Sequence, residues 1–466
     1  MECSAQDFGP SASNCPNRVL RRLRPSARSE LSHIAQPVAA VLISPIIADT
    51  SVPKIRHGAF VAALGGVADA EMASSPRWQA LCAGFTTLRL VDAWASEGRV
   101  DARAFEATCA TVTTLPGTST ARGLLGAITS AVGSRHGPGG PSPYIPLLAY
   151  GRLLEYDADW ALAIDAYGMI VEHGPAGGAA DLLPDAYHRS GYCRRMLGDL
   201  AGASADFTTG RKVAQEQGNT AADLQLRLSE ANVITHRGNL PEAARVLEQL
   251  IADASAAGAR QVAAAARHDC GLVAHAQGQF ERAALLCFDA AQSYDEPRQR
   301  ARALSDVAAC SAAIGHRDLA RQLNEIVYTT AATRELRWAA AINLLEMAAT
   351  DGREPIFEAY RSALEAEPLP VTLAANYHLF TGRGHVRFGR PHLARQEFGR
   401  ALGISMDAAL NQIGIFADQA LAELALAERN TPSGTGTNAP GHDPWSPEIE
   451  NLTHSITELY LATVEQ

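Results

Sequence analysis

Lysine is nearly missing from this chain of 466 residues, which carries only Lys54 and Lys212 among its 40 basic residues. The loop that cradles the phosphates of nucleoside triphosphates needs a Gly-Lys-Ser/Thr sequence. Neither lysine follows a glycine, and Ile55 and Val213 come after them. The standard phosphate-binding loop is therefore excluded.

Aromatic residues are also few, at 6% of the chain. The formal net charge of −10 does not fit broad nucleic-acid binding, which requires a basic surface,. No run of about 18 apolar residues occurs, so no membrane span is predicted. The eight cysteines never lie within four residues of one another, which excludes a Cys-x-x-Cys zinc site and a dense disulfide framework. We expect reduced, mostly buried thiols in a cytoplasmic protein.

Sequence patterns of common enzymes are also missing. The chain has no His-Glu-x-x-His, no Gly-x-Ser-x-Gly and no Gly-x-Gly-x-x-Gly after a strand,. His268 and His275 lie two helical turns apart, which is too far for both to bind one zinc ion directly. We therefore predict a non-catalytic protein with no cofactor and no metal site.

Alanine is what the chain has in abundance, with 87 of its 466 residues. Apolar residues recur at helical steps of three and four, and no stretch alternates with a period of two. The pattern predicts an all-α protein whose helices pack closely through small side chains.

Five segments follow from composition and helix signals. Ser75-Pro76 and Ser446-Pro447 are expected helix starts, because serine caps a helix and proline fits its first turn. The C-terminal helix is expected to cover the last repeat, or else to occupy a groove or a partner. The predicted segments are a poorly ordered basic stretch that could instead be a targeting segment (1–57), an N-terminal helical region (58–135), about seven repeats (143–428), a flexible linker (429–446) and a C-terminal helix (447–466).

The repeats are marked by glycines at the turns between helices. Six such glycines follow one another at spacings of 40, 40, 37, 37 and 37 residues: Gly198, Gly238, Gly278, Gly315, Gly352 and Gly389. Ala158 stands 40 residues before Gly198 and marks the turn of a first unit. A unit of this kind cannot bury its apolar face alone, so neighbouring units must stack.

Two columns of small residues accompany the turns. Five residues after the turn stand Ala163, Ala203, Ala243, Ala283, Ala320 and Ala394, and seven before it stand Gly151, Gly191, Ala231, Gly271, Ala308 and Gly382. The Gly352 unit breaks both columns, with Phe357 and Leu345. Small side chains at both positions predict that the two helices of a unit cross closely.

The unit that contains Gly198 resembles a tetratricopeptide repeat. Its aromatic, small, aromatic, turn, small and aromatic positions are Tyr187, Gly191, Tyr192, Gly198-Asp199, Ala203 and Phe207. The resemblance implies a right-handed α-solenoid of helix–turn–helix units over residues 143–428. The units are three to six residues longer than the usual 34 of this family. Repeats of this greater length resemble those in the divergent sensor domains of some bacterial regulators.

The resemblance also implies a binding groove lined by the first helix of each unit. Carried over position by position, it predicts contacts from Arg152, Glu155, His188, Tyr192, Arg195, Asn232, His236, His268, His275, Asn376, Arg383 and Arg387. Arginine holds carboxylates through charge-assisted hydrogen bonds. The expected partner is therefore a protein or an extended peptide, with an acidic or polar segment preferred, and no nucleic acid or membrane is expected to bind.

Two functions remain open at this point. The first is a non-catalytic scaffold or adaptor that binds a protein or peptide in the groove. The alternative is a sensor module of a bacterial regulatory system that responds to a peptide or small molecule. The sequence does not reveal the partner, the pathway or the oligomeric state.

Overall fold

The computed structural model describes residues 57–65, 75–134, 141–408, 410–429 and 445–464. Within these residues every regular element is a helix, so the predicted all-α fold is confirmed. None of the helices in the described ranges is long and apolar enough to cross a membrane. The chain divides between Gly238 and Asn239 into two compact units, here called the N-terminal and the C-terminal unit.

Twenty α-helices run through the described residues. In the N-terminal unit they are α1 (Gly58–Gly65), α2 (Pro76–Glu97), α3 (Ala102–Thr113), α4 (Thr120–Gly133), α5 (Tyr144–Tyr156), α6 (Trp160–His173), α7 (Leu183–Met196), α8 (Leu200–Glu216) and α9 (Thr220–His236). In the C-terminal unit they are α10 (Leu240–Ala256), α11 (Arg260–Ala276), α12 (Phe280–Ser293), α13 (Pro297–Ala313), α14 (Arg317–Thr330), α15 (Arg334–Thr350), α16 (Glu354–Glu365), α17 (Val371–Arg387), α18 (Pro391–Asp407), α19 (Asn411–Arg429) and α20 (Pro447–Val464).

Capping residues decide where several helices begin. The Ser75 hydroxyl accepts a hydrogen bond from the Trp78 amide, and the Asp101 carboxylate accepts two from the first turn of α3, which satisfies amides that lack a helical partner. The predicted helix starts at Ser75-Pro76 and Ser446-Pro447 are confirmed, since α2 begins at Pro76 and α20 at Pro447. The predictions for residues 1–57 and for the linker 429–446 fall almost entirely outside the described residues.

One hydrophobic cluster of the N-terminal unit runs from α1 to α7, and a smaller one joins α8 and α9. Its first helix is tied to α6 through Asp165, whose carboxylate accepts hydrogen bonds from the amides of Ala59 and Phe60 at 3.0 and 3.2 Å. The Phe60 ring is fully buried. The N-terminal helices and the first repeats therefore share their core.

The turn positions predicted from the sequence all have the left-handed backbone that ends a helix sharply. The six turn glycines have φ between 70° and 84°. Ala158, the non-glycine residue at the equivalent position of the first unit, has φ 60°. This conformation is energetically unfavourable for a residue with a Cβ. Ala158 adopts it because the turn between the two helices of the first unit requires it.

The second helix accounts for much of the change in repeat length. In the Gly198 and Gly238 units, with 40-residue spacing, α8 and α10 have 17 residues each, whereas α12 and α14, in units with 37-residue spacing, have 14. The difference is nearly one helical turn. Gly218 and Gly258 are also left-handed and end α8 and α10. Helix α6 of the first unit has 14 residues and is followed by a longer connection, which contains the left-handed Gly178.

Glycines seven residues before the turn make room for large rings. A Cβ at Gly191 would overlap the ring of Phe207, and Gly382 stands in the same relation to Phe398. Each ring lies nine residues after its turn on the partner helix, and both are buried. The close helix crossing expected from the small-residue columns is confirmed, with a ring packed on each of these glycines.

The C-terminal helix does not cover the last repeat, so that expectation was wrong. Helix α20 packs against α14 and α12, which are second helices of earlier repeats. Its apolar stripe, Ile449, Leu452 and Ile456, joins the same hydrophobic cluster as Leu319 and Leu323 of α14. The apolar surface of α14 outweighs proximity along the chain in placing this helix.

Candidate functional site

The first helices of three successive repeats, α5, α7 and α9, place equivalent side chains next to each other. Arg152, Tyr192 and Asn232 all stand six residues before their turn, and Tyr156 and His236 both stand two before it. Helix α7 packs beside α5 and beside α9. Together with Arg195, these residues define a surface that we call the α5–α7–α9 face.

Ion pairs connect α5 to α7 across this face. Arg152 Nη2 lies 2.5 Å from Asp185 Oδ2, and Arg189 Nη1 lies 3.2 Å from Glu155 Oε2. Arg189 was missed by the sequence argument, although it stands one helical turn after Asp185 and pairs with it at 3.4 Å. The two arginines hold the first helices of adjacent repeats side by side.

Glu155 is less accessible than the groove prediction required. Its side chain is 9% exposed, and its carboxylate accepts a hydrogen bond from the Tyr167 hydroxyl at 2.5 Å. Burial, followed by the bond to Glu155, raises the pKa of Tyr167 well above its usual range. Glu155 therefore positions helices.

Arg195 occupies the centre of the face. Its guanidinium lies 5.3 Å from the centre of the Tyr192 ring, and its Nη1 lies 2.7 Å from His236 Nε2. The Tyr192 ring packs edge-on against Trp160. Burial, with a further contribution from Arg195, lowers the pKa of His236, so a neutral imidazole can accept the bond from Arg195. The aromatic ring and the imidazole hold the planar cation in a set position.

His188 serves packing between α7 and α9. Its Nε2 lies 2.9 Å from the Ser229 hydroxyl. Burial, with a smaller effect of the neighbouring Arg189, lowers the pKa of His188 to about 4. The side chain is thus neutral near pH 7 and less open to a partner than predicted.

Two histidines of the C-terminal unit correct the groove prediction. His268 and His275 are 5% and 6% exposed. His268 Nε2 lies 2.7 Å from Asp306 Oδ2, and the His275 ring packs edge-on against Phe280. The position ten residues before the turn also holds the buried Leu148 and Leu228 in other repeats, so it faces a neighbouring helix.

Helix α17 carries the remaining predicted residues. Arg383 Nη1 lies 3.0 Å from Glu346 Oε1 of α15, and burial raises the pKa of that glutamate while Arg383 opposes the rise. Asn376 is half-buried and Arg387 is exposed. Within the described ranges, no group of three or more His, Cys, Asp or Glu side chains could hold a metal ion.

Comparison with known proteins gives matches among solved structures only. No family model matches the chain, and no curated protein does. A tetratricopeptide repeat protein from Parabacteroides merdae is 15% identical, with a TM-score of 0.40, over 59% of this chain and 98% of that one.

Two peptide complexes are similar at the same level. NprR in complex with its cognate peptide NprX is 14% identical, with a TM-score of 0.41, over 76% of this chain and 92% of that one. A Rap protein complexed with competence and sporulation factor is 12% identical, with a TM-score of 0.40, over 76% of this chain and all of that one. The helix–turn–helix repeats described above agree with the tetratricopeptide-like fold that the sequence indicated.

Proposed function

We propose that the protein is a non-catalytic binding module of the bacterial cytoplasm that holds an extended polypeptide segment on the α5–α7–α9 face. One observation carries the proposal: Arg195 is held over Tyr192 and against His236 at the centre of a row of polar and aromatic side chains. A cation that is already positioned loses little freedom on binding a carboxylate. The free cysteines, of which four are buried, fit a reducing compartment.

The surroundings of Arg195 favour a segment with both acidic and apolar residues. Helix α5 carries the exposed Ile145 and Tyr156, and Leu197 directly follows α7, with exposures of 64%, 87% and 51%. Arginine and tyrosine are enriched among residues that dominate binding energy at interfaces. The expected ligand places a carboxylate at Arg195 and apolar side chains on either side.

The test uses labelled peptide pools of net charge −4, 0 and +4 on the full chain. Arg195→Glu is expected to weaken binding of the acidic pool by about tenfold or more, because it places like charges together. Lys212→Glu is the matched control, since it changes the net charge equally on the second helix α8, where its side chain is 78% exposed. Equal losses in the two variants, or equal binding of the basic pool, would contradict the proposal.

A sensor role is the second candidate, and the inter-helix ion pairs favour it. The Arg152–Asp185 and Arg189–Glu155 pairs join α5 to α7. An acidic ligand that competes for these arginines would loosen one helix from the next, and a ligand shifts an equilibrium by its differential affinity for the two states. Faster amide hydrogen exchange in α5 and α7 on peptide binding supports the sensor, and uniform protection supports the scaffold.

A further inference from the structure

The docking of helix α20 identifies a second surface, far from the α5–α7–α9 face in sequence. Ile449, Leu452 and Ile456 are 0%, 3% and 0% exposed. They pack in one hydrophobic cluster with Leu323 and Ile326 of α14. We call the surface of α12, α13 and α14 that includes Leu304, Leu319, Leu323 and Ile326 the helix-docking face.

Polar and ring contacts in the stretch between Trp445 and Thr457 fix how α20 lies on this face. The Trp445 ring stacks on His316 with 4.7 Å between centres and 19° between planes. Thr453 Oγ1 lies 3.1 Å from His316 Nε2, and Thr457 Oγ1 donates to Gln322 Oε1 at 3.3 Å. The face therefore recognises a helix with an aromatic residue just before its first turn.

The last turn of α20 leaves part of the face uncovered. The buried stripe of Ile449, Leu452 and Ile456 continues at the same steps of three and four to Leu459 and Thr463. This last position is the one that is not apolar, and a cavity of about 230 Å³ lies beside it. Its walls are Pro297, Arg300, Ala301, Leu304, Ile326, Thr330, Leu459 and Thr463. The pocket is partly open to solvent, and a larger apolar side chain at position 463 would cover apolar wall atoms that now face it,.

Helix α20 is also attached through a segment suited to release. Residues 430–444 contain three prolines and three glycines, a composition typical of linkers. The side of α20 away from the stripe is open, with Leu461 53% exposed and the His454 side chain 77% exposed. A tethered helix holds its site through high local concentration even when its own contacts are modest.

We propose that the helix-docking face binds an amphipathic helix of a partner protein and that α20 occupies it as an intramolecular competitor. The partner helix carries an aromatic residue at the Trp445 position and Ile or Leu at the next three stripe positions. At the Thr463 position it carries a larger apolar residue such as Met, which fills the cavity. Binding requires α20 to leave.

The experiment uses two fluorescent synthetic peptides, residues 445–464 and the same peptide with Thr463→Met. They are titrated into the full chain and into the full chain carrying Leu452→Asp, which weakens α20 in place. The unmodified chain is expected to bind both peptides at least about tenfold more weakly than the Leu452→Asp chain, because the tethered helix competes. On the Leu452→Asp chain, the Thr463→Met peptide is expected to bind about fivefold more tightly than the natural peptide, because it buries additional methylene groups.

Leu461→Asp, on the exposed side of α20, is the matched control and is expected to bind like the unmodified chain. A chain with a protease site inserted after Gly434 and then cleaved repeats the test with every docking side chain unchanged. Equal binding to the unmodified, Leu452→Asp and cleaved chains would overturn the proposal. Equal affinity of the two peptides would overturn it as well and would favour α20 of a second copy as the occupant.

Discussion

The ring of Phe357 occupies the space that a side chain at Gly384 would need. A Cβ at Gly384 would overlap the Cε2 and Cζ atoms of the ring, and the ring is fully buried. Phe357 stands in the column that holds alanine in the other repeats, so the Gly352 unit replaces a small residue by a large one. Gly384 compensates for this from helix α17, in the following repeat. Helices α16 and α17 therefore still pack closely at the point where the column of small residues is interrupted.

Gly384→Ala is expected to destabilise the protein by about 1–3 kcal/mol, because overpacking forces shifts in a dense core. In a chain that already carries Phe357→Leu, the same change is expected to cost less, since residues in contact are coupled. Chemical denaturation of the four chains of this double-mutant cycle measures the coupling. Gly399→Ala, on α18 with nothing near its Cβ, serves as the control and is expected to stabilise by about 0.4–1 kcal/mol. Additive costs at 357 and 384 would show that the contact is unimportant.

The strained turn at Ala158 offers a stabilising change. With φ 60°, Ala158→Gly is expected to raise the free energy of unfolding by up to about 1 kcal/mol, because glycine has no Cβ to clash in this region. Ala205→Gly, at an exposed site inside α8, is expected to lower it by about 1 kcal/mol. Thermal denaturation compares the two variants. A lower melting temperature for Ala158→Gly would contradict the register assigned to the first repeat.

Acid sensitivity is expected from His188. Its pKa is lowered from 6.5 to about 4 in the folded chain, so between these values the unfolded chain binds more protons. The contribution of His188 to the free energy of unfolding is complete above pH 6.5. It falls by at most about 3 kcal/mol as the pH falls towards 4.

Denaturation at pH 7, 5.5 and 4.5 checks this. His188→Gln is expected to flatten the dependence, whereas His392→Gln, at an exposed position on α18, is expected to leave it unchanged. The same dependence of unfolding free energy on pH in the His188→Gln chain would count against a His188 that is neutral in the folded chain.

Asp165 is expected to hold the first helix in place. Asp165→Ala removes the acceptor for the Ala59 and Phe60 amides, and loss of a helix cap typically costs about 1 kcal/mol. Faster hydrogen exchange is expected across residues 57–65, with little change in α8. Asp181→Ala, at an exposed position before α7, is the control. Unchanged exchange in α1 would mean that Phe60 alone anchors this helix.

The part of the site that could be predicted is the part that follows from periodicity. Arg152, Tyr192 and Asn232 share one position in three repeats, and the repeat spacing alone brought them together. The low exposure of Glu155, His268 and His275 and the contact of His188 with Ser229 could not be predicted, because they depend on which neighbouring helix lies over each position. Arg189 and Asp306 were missed for the same reason, since Glu155 and His268, which they contact on other helices, lie at no fixed spacing from them.

The sequence by itself determined the all-α class, the register of the repeats and the close helix crossings. Each of these depends on residues near in the chain: a glycine that ends a helix, a proline or serine that starts one, and small side chains where the two helices of a unit meet. Tertiary structure alone decided the pairing of Phe357 with Gly384 and the docking of α20 on α14. These contacts join distant segments through apolar area and shape, which local spacing does not encode.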